Sequence, residues 1–278
     1  MPSLPLDAVL QKLSELAPLR LAESWDNVGL LVGDRRTRVQ RVMTCLTITP
    51  EVVQESIERN VGLLIAHHPL PFKPLTRITS DSTTGQMLLS LIAAGVAVYS
   101  AHTAFDSAAA GINALWAEML NLQQINAIDP ADPSDEAIGS GRCGRLDAPM
   151  PLDRFAALVA DVVGAAHCRL VQATPPEPTL SPRVTKVAIA CGSGGAMLAA
   201  AKRRGCDAMV TGEATFHTCL EAQASGVHLI LVGHYHSERF AMVRLASQLA
   251  AELDDIEVFA SDRDQNPLQD LAAFVAKH

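Results

Sequence analysis

The sequence predicts an α/β fold with a largely parallel sheet, and two observations support this fold class. Short apolar runs rich in β-branched residues alternate with amphipathic helical stretches along the chain, which is the pattern of repeated strand–helix units. Hydrophobic residues make up 49% of the 278 residues and charged residues 19%. A chain of this length and composition can bury a large core and is not intrinsically disordered.

The first half of the chain contains clear helix and strand signals. Leu10 and Leu13 belong to an apolar stripe at helical spacing, Thr49 precedes Pro50 as an N-cap residue does, and Gly95 follows a helical run. We expect helices at 7–17, from 50 onward, at 84–94 and at 109–121, and strands at 39–46, 61–66 and 96–101.

The composition changes at 129–149, where Pro, Asp, Ser and Gly dominate, and this segment is the predicted junction between two lobes. Lobe one spans roughly 1–128 and lobe two roughly 150–278. The sequence does not decide whether the C-terminal segment packs within lobe two or back on lobe one. In the second half we expect helices at 152–163, 196–204, 218–224 and 237–253, strands at 168–172, 184–190, 208–211 and 227–232, and a proline-rich loop at 174–182.

Charge and cysteine usage exclude several classes of protein. The chain has 22 Lys and Arg against 30 Asp and Glu, which gives a net charge of −8. This charge argues against a protein that coats nucleic acid, although it does not exclude a local basic surface. No apolar run is long enough for a membrane span, and the N-terminus lacks the pattern of a signal peptide. The 6 cysteines form no Cys-x-x-Cys pair. We therefore expect a soluble cytoplasmic protein without a membrane partner.

Histidines follow three of the predicted strands directly. Five of the 9 histidines of the chain occupy such positions, and in open α/β sheets the carboxyl ends of the strands form the binding crevice. The segments that follow the strands are His67-His68-Pro69, His102-Thr103-Ala104-Phe105-Asp106 and Gly233-His234-Tyr235-His236-Ser237-Glu238.

Imidazole and carboxylate groups from three neighbouring segments are the ligand set expected for zinc, iron or manganese. Because Pro69 prevents an immediate helix, His67 and His68 can diverge toward two neighbouring metals, and Asp106 or Glu238 can bridge them. Each histidine taken alone is more often a core or surface residue. It is the coincidence of three such segments that favours a metal site.

Three further stretches each allow a structural and a functional interpretation. Glu213 ends another strand and leads toward His217, so it is either a hydrogen-bond acceptor or general base of the site or a structural residue. The run 191–195 favours a tight strand-to-helix turn over an anion-binding loop. Trp25, between polar neighbours, either roofs a site or anchors a turn.

Several motifs, in order along nearly the whole chain, resemble the NIF-three-like family, whose members are also called GTP cyclohydrolase I type 2 homologues. The motifs are Ser24-Trp25-Asp26-Asn27-Val28-Gly29-Leu30-Leu31-Val32-Gly33, Ile65-Ala66-His67-His68-Pro69, Ala101-His102-Thr103-Ala104-Phe105-Asp106, Gly141-Arg142-Cys143-Gly144-Arg145-Leu146, Gly192-Ser193-Gly194-Gly195, Thr211-Gly212-Glu213 and Gly233-His234-Tyr235-His236-Ser237-Glu238.

The resemblance implies two linked α/β lobes with a dinuclear metal site in the cleft between them, and a toroidal homohexamer. It implies two divalent metal ions per chain, zinc, iron or manganese. His102 and His236 then lie around the metals or face the substrate. Ala104 stands where relatives more often have Asn, and Thr47 where many have Asp, but neither position is that of a metal ligand. The family's metal ligands fall on His67, His68, Asp106, His234 and Glu238.

Two functions are compatible with this site. The first is a metal-dependent hydrolase in which a metal-bridging hydroxide is the nucleophile and Glu213 or His102 transfers protons. The family name implies opening of the imidazole ring of GTP, and other small-molecule or nucleotide substrates suit the same metals. The alternative is a ring-shaped, metal-binding scaffold without catalysis, because the family is also named for binding a transcriptional coactivator.

Overall fold

The computed structural model describes residues 2–174, 182–269 and 275. The proline-rich loop expected at 174–182 lies, apart from its two end residues, outside the described residues. The helices are α1 Leu6–Leu16, α2 Pro50–Glu58, α3 Thr83–Ala93, α4 His102–Ser107, α5 Ile112–Met119, α6 Leu152–Val162, α7 Leu198–Arg203, α8 Phe216–Ser225 and α9 His234–Glu252.

The strands alternate with these helices along most of the chain. They are β1 Leu4–Pro5, β2 Gly29–Val32, β3 Arg38–Val39, β4 Arg41–Cys45, β5 Leu63–Ala66, β6 Ala97–Ser100, β7 Gln123–Asn126, β8 Asp129–Asp132, β9 Asp135–Ser140, β10 Arg142–Pro151, β11 Arg169–Val171, β12 Arg183–Ala190, β13 Ala208–Thr211, β14 His228–Leu231 and β15 Glu257–Ala260. Short 3-10 turns lie at Leu19–Leu21 and Gly194–Met197.

One sheet has five strands in the order β15-β4-β5-β6-β2. The first four are parallel, and β2 pairs antiparallel with β6 at the edge. The strand β15 comes from the far end of the chain, and its register places Ala260 opposite Thr44. Beyond it, the Ser261 amide donates to the Thr44 carbonyl at 2.8 Å, so this late segment reaches the carboxyl end of β4.

The other large sheet has six strands in the order β11-β14-β13-β12-β10-β7. Only β12, β13 and β14 are parallel, whereas β11, β10 and β7 pair antiparallel. The α/β class is confirmed, but the sheet of the second half is more mixed than the sequence predicts. Crossover helices join its central strands, which is why those strands are parallel.

The segment predicted as a polar junction, 129–149, contains strands. β8 and β9 form a hairpin that pairs Asp129 with Ser140, and β10 continues into the six-stranded sheet. The sequence does not indicate these strands because most of the hairpin is exposed, so its residues do not alternate with buried ones. The buried guanidinium of Arg142 donates to the carbonyls of Gly139 and Ala108, at 2.7 and 2.6 Å, and fixes the hairpin against α4.

Helix boundaries differ from the prediction at the positions that matter for the site. The helix expected at 109–121 is the shorter α5, which begins after Gly111, where a Cβ would lie 1.6 Å from the Phe105 carbonyl oxygen, and the preceding helix α4 was not expected. The expected helix 196–204 begins with a 3-10 turn, and α9 begins at His234 rather than at 237. His102 and His234 are therefore the first residues of helices rather than loop residues.

The largest apolar cluster connects the two large sheets. It contains Tyr99 from β6, Trp116 from α5 and Ile230 from β14, and all three are at most 2% exposed. The Trp116 indole donates to the Ser237 carbonyl at 2.8 Å, so α5 is fixed against the first turns of α9. Within the described part of the chain, no helix has the length and apolarity needed to cross a bilayer.

Candidate metal centre

Three strand ends deliver the histidines and carboxylates to one place. His67 and His68 follow β5, and their amides still pair with the last residue of β4 and the residue after it, donating to the Cys45 and Leu46 carbonyls at 3.0 and 2.9 Å. The other two pairs occupy the first turns of helices: His102 with Asp106 on α4, and His234 with Glu238 on α9. A spacing of four residues places both members of a pair on one helix face.

Glu238 lies at the centre of this cluster. Its Oε2 atom lies 3.2 Å from His68 Nε2 and 3.1 Å from His234 Nε2, and those two nitrogens are 3.3 Å apart. Its other oxygen, Oε1, lies 3.8 Å from His67 Nε2. The two oxygens of one carboxylate thus face different histidines, as a bridging carboxylate does.

His67 is the most buried histidine of the cluster, with 2% exposure. Its Nε2 atom lies 3.6 Å from Asp106 Oδ1, yet neither ring nitrogen has a hydrogen-bond partner among the described residues. A buried polar atom without a partner costs free energy. A metal ion between the imidazole and the carboxylates would remove this cost at Nε2, so the residues present fit a metal.

The ligand atoms form two overlapping groups in which all distances are at most 4.8 Å. One group contains His68, His234 and Glu238, and the other contains His67, His68 and His102. Asp106 adjoins the second group through His67. The chain therefore has side chains that could bind metal, in two neighbouring sets.

Burial and the close carboxylates change the protonation of these groups. Burial opposes protonation of His67, but the charges of Asp106 and Glu238 outweigh it and raise the pKa of His67. Burial lowers the pKa of His68 and raises that of Asp106. The hydrogen bond to Glu238 is the main reason why the pKa of His234 rises to about 9, with a smaller contribution from Glu213. Imidazole protons thus compensate for carboxylate charge, as cations would.

Polar neighbours fix the far side of the imidazole rings. Thr47 Oγ1 lies 2.7 Å from His68 Nδ1, and Glu213 Oε2 lies 3.2 Å from His234 Nδ1. These contacts leave the Nε2 atom of each ring directed at Glu238. Partners of this kind orient metal-binding histidines and raise their basicity. Glu213 is half-exposed behind His234, and Ser193 also donates to it.

His102 lies beside the cluster and is fixed by Asp26. Its Nδ1 atom is 2.8 Å from Asp26 Oδ1, while the Thr103 amide and hydroxyl donate to Asp26 Oδ2. Burial opposes ionisation of Asp26, but these hydrogen bonds lower its pKa to about 2. The His102 ring centroid lies 5.1 Å from that of His67.

Gly192 leaves the space that the central carboxylate occupies. Its φ is +59°, and a Cβ at this position would lie 2.3 Å from Glu238 Oε1. The Gly192 amide donates to Ser237 Oγ at 2.9 Å, which attaches this turn to α9. The glycine run therefore forms a tight turn, as the sequence predicts, but one that adjoins the candidate metal centre.

Several residues that support the cluster are not indicated by the sequence. Asn113 accepts from the Cys191 amide at 2.9 Å and donates to the Asp106 carbonyl at 3.1 Å, and the Cys191 thiol donates to Asp106 Oδ1 at 3.3 Å. These partners are distant in sequence, so no local spacing indicates them. Asp26 and Cys191 do lie in stretches that the sequence singled out, beside Trp25 and in the run 191–195.

The remaining histidines lie outside the cluster or outside the described residues. His228 is buried in β14 and accepts from the Ala173 amide at 3.0 Å. The ring of His217 contacts Phe216, and that of His236 contacts Tyr235, at 5.9 and 5.6 Å between centroids. His167 precedes β11, and His278 is not among the described residues.

The comparison with known proteins identifies the family. The sequence pattern of the Duf34/NIF3 (NGG1p interacting factor 3) family matches residues 5–267. The chain belongs to the NIF3 family. Its NIF3 relatives include a GTP cyclohydrolase 1 type 2 homolog of Clostridium perfringens, 31% identical over 95% of this chain and 98% of that protein. The NIF3-like protein 1 of Drosophila melanogaster is 32% identical over 98% of this chain and 91% of its own length.

Solved structures agree with this assignment to the NIF3 family. A hypothetical protein of Staphylococcus aureus is 28% identical, with a TM-score of 0.85 over 96% of this chain and 99% of that one. A Bacillus cereus protein related to NIF3 has a TM-score of 0.86 at 23% identity, over 97% of this chain and 99% of that one, and shows the same fold. The family resemblance inferred from the motifs is confirmed.

Proposed function

We propose that this chain is a dinuclear metal-dependent hydrolase whose substrate binds in the cleft beside His68, Asp106 and His234. The position of Glu238 carries this proposal, because its two oxygens face different histidines within 3.8 Å while the buried His67 ring has no hydrogen-bond partner among the described residues. A single structural metal would not need two adjoining ligand groups.

The residues of the candidate metal centre have different proposed roles. Two divalent ions held there would activate water as a nucleophile and stabilise negative charge on the substrate. Glu213 accepts from His234 Nδ1 and fixes the orientation of the ring, so it acts as a positioning residue. His102 lines the cleft and transfers protons, with Asp26 accepting at its other nitrogen. The side chains that would hold the ions are His67, His68, Asp106, His234 and Glu238.

The names of relatives favour a nucleotide among the small-molecule substrates. A Helicobacter pylori protein named GTP cyclohydrolase 1 type 2 is 31% identical over 84% of this chain and 88% of its own length. That name describes a hydrolytic opening of a purine ring. The cleft has a volume of about 660 Å³, which is the size range of small-molecule sites.

The first test measures metal content per chain on protein purified without chelator, together with hydrolysis of a panel of nucleotides and phosphoesters. We expect two metal ions per chain, with turnover that is abolished by chelation and restored by one specific metal. Metal without turnover would favour the scaffold that the name NGG1p interacting factor suggests. Protein without metal would contradict the proposal.

A histidine pair provides the matched control for this test. His68→Ala should lower metal content and leave the fold intact, because His68 lies in both ligand groups. His217→Ala removes a histidine that contacts Phe216 on α8, and it should retain the metal content of the unchanged protein. Full occupancy in His68→Ala would exclude His68 as a ligand.

We also propose that the chain assembles into a toroidal homohexamer. Exposed apolar residues on α2 and α3, namely Ile57, Leu89 and Ile92, are 40–50% exposed and suit a contact between copies. Light scattering at micromolar concentration should give six times the mass of the chain. A monomer under these conditions would contradict the hexamer.

A further inference from the structure

Two exposed aromatic rings stand at the mouth of the cleft. Trp25 is 62% exposed and Phe72 is 50% exposed, and both line the cavity of about 660 Å³ that contains His68, Asp106 and His234. Aromatic residues make up only 4% of the chain, and its other tryptophan, Trp116, is fully buried. Two adjacent exposed rings are therefore unusual here, and their position calls for an explanation in terms of a ligand.

The two rings and His102 contact each other in a triangle. The centroids of Trp25 and Phe72 are 6.2 Å apart, and each lies 6.0 Å from the His102 centroid. His102 in turn lies 5.6 Å from the ring of His68. The His102 ring thus connects the two exposed rings to the candidate metal centre.

Hydrogen bonds of neighbouring residues hold the loops that carry these exposed rings. Asp26, next to Trp25, accepts from Thr103 and lies 2.8 Å from His102 Nδ1, so the loop is fixed to α4. Asn27 donates from Nδ2 to the Pro71 carbonyl at 2.8 Å, which joins this loop to the one that carries Phe72. The buried side chain of Asp26 is thus used to hold an exposed tryptophan. Because these loops are already ordered in the free protein, they lose little conformational entropy when a ligand binds.

We propose that Trp25 and Phe72 form a stacking subsite for a planar aromatic ring of the substrate, such as a nucleobase. This inference rests on the proposed function in one respect, namely that the ring is held next to the metal centre proposed there. A base has an apolar face that stacks on aromatic side chains regardless of its hydrogen-bonding edge. Trp25 and Phe72 therefore determine specificity, selecting aromatic over aliphatic substrates, and take no part in proton transfer.

Two ligands that differ only in the base test this subsite. GMP and ribose 5-phosphate carry the same sugar phosphate, so their ratio of dissociation constants isolates the contribution of the base. On the metal-loaded protein, calorimetry should show GMP binding at least about fivefold more tightly, the lower end of stacking on one aromatic side chain. GMP should also quench the emission of the exposed Trp25, whereas ribose 5-phosphate should not.

Variants then assign the difference to the two rings. Trp25→Leu and Phe72→Leu should each reduce the GMP preference while leaving ribose 5-phosphate affinity unchanged, and Trp25→Phe should retain most of it. Phe216→Leu removes a ring that is 73% exposed on α8, and it should bind both ligands as the unchanged protein does.

Three outcomes would overturn the subsite. Equal affinity for the two ligands, or no binding of either, would show that no base is held there. A GMP preference that survives both leucine variants would place the base elsewhere. Trp25 emission shielded from acrylamide in the free protein would show that another chain covers the ring. None of these readouts requires turnover, so failure of the hydrolase proposal is distinguishable from failure of the subsite.

Discussion

Asp264 accepts a hydrogen bond from the Leu46 amide at 2.6 Å, although 218 residues separate the two in sequence. Asp264 is 3% exposed and also pairs with Arg239 Nε at 2.7 Å. Leu46 precedes Thr47, whose hydroxyl contacts His68, and Arg239 follows Glu238 on α9. A residue outside the cluster thus connects two of the elements that carry it.

Replacing this buried carboxylate should weaken both the fold and the metal centre. Asp264→Ala leaves the Arg239 guanidinium and the Leu46 amide without their partner, and removal of one member of a buried pair costs about 3–5 kcal/mol. Denaturant unfolding should show that loss, and metal content should fall. Asp262→Ala is the control, because that side chain is 85% exposed and its pairing with Arg59 contributes little. Wild-type stability and metal content in Asp264→Ala would contradict this connection.

Gly192 provides a test that does not remove any candidate ligand. In Gly192→Ala the new methyl group would collide with Glu238 Oε1, so we expect metal content to fall sharply. Gly164→Ala is matched, because its φ of +61° resembles the +59° of Gly192 but its Cβ would meet no atom of the described residues within 4 Å. Both variants should lose about 1 kcal/mol from backbone strain. If the two retained equal amounts of metal, Glu238 would not hold it.

Glu213→Gln separates orientation of a histidine from metal binding. The substitution replaces a charged acceptor at His234 Nδ1 with a neutral amide, and partners of this kind contribute about 10- to 100-fold to activity or affinity. We expect the metal content to stay and kcat for the best substrate of the panel to fall by that factor. Glu221→Gln, an exposed change on α8, should alter neither. Unchanged turnover in Glu213→Gln would remove any role for this carboxylate.

Stability should fall in acid partly through Glu55. Burial opposes its ionisation, but hydrogen bonds from Ser261 and the amides of Asp262 and Arg263 lower its pKa below the ordinary 4.5. The ionised form therefore stabilises the fold above pH 4.5, and this stabilisation is lost as the pH falls through the folded-state pKa. Glu55→Gln should lower the free energy of unfolding at pH 7 and flatten its decline below pH 4.5. An unchanged pH profile would show that Glu55 does not contribute.

The sequence predicts the strands that lead to the site well, because each is a short apolar run with a clear end. The spacing of His67, His234 and Glu238 relative to those ends predicts that they converge, and they do. Their roles as ligands stay predictions. The partners Thr47 and Asp26 depend on contacts between distant segments, so local patterns do not indicate them.

The strands of the hairpin at 129–140 were not predicted, for a related reason. Strand prediction depends on alternating burial, and β8 and β9 are mostly exposed on both faces. The structure shows that they pair, with Asp129 opposite Ser140, and that Arg142 donates to the Gly139 carbonyl of β9. Exposed polar strands therefore resemble linkers when only composition is considered.

The late return of β15 to the first sheet has a consequence for protein synthesis. The ribosome synthesises residues 1–128 long before Glu257–Ala260. The β4 edge of the five-stranded sheet therefore stays unpaired while the residues between them are made. Asp264 and its bond to Leu46 also arrive only at that stage. The nascent chain thus exposes an open β edge until Glu257–Ala260 have been made, and the metal binding proposed above should appear only after that.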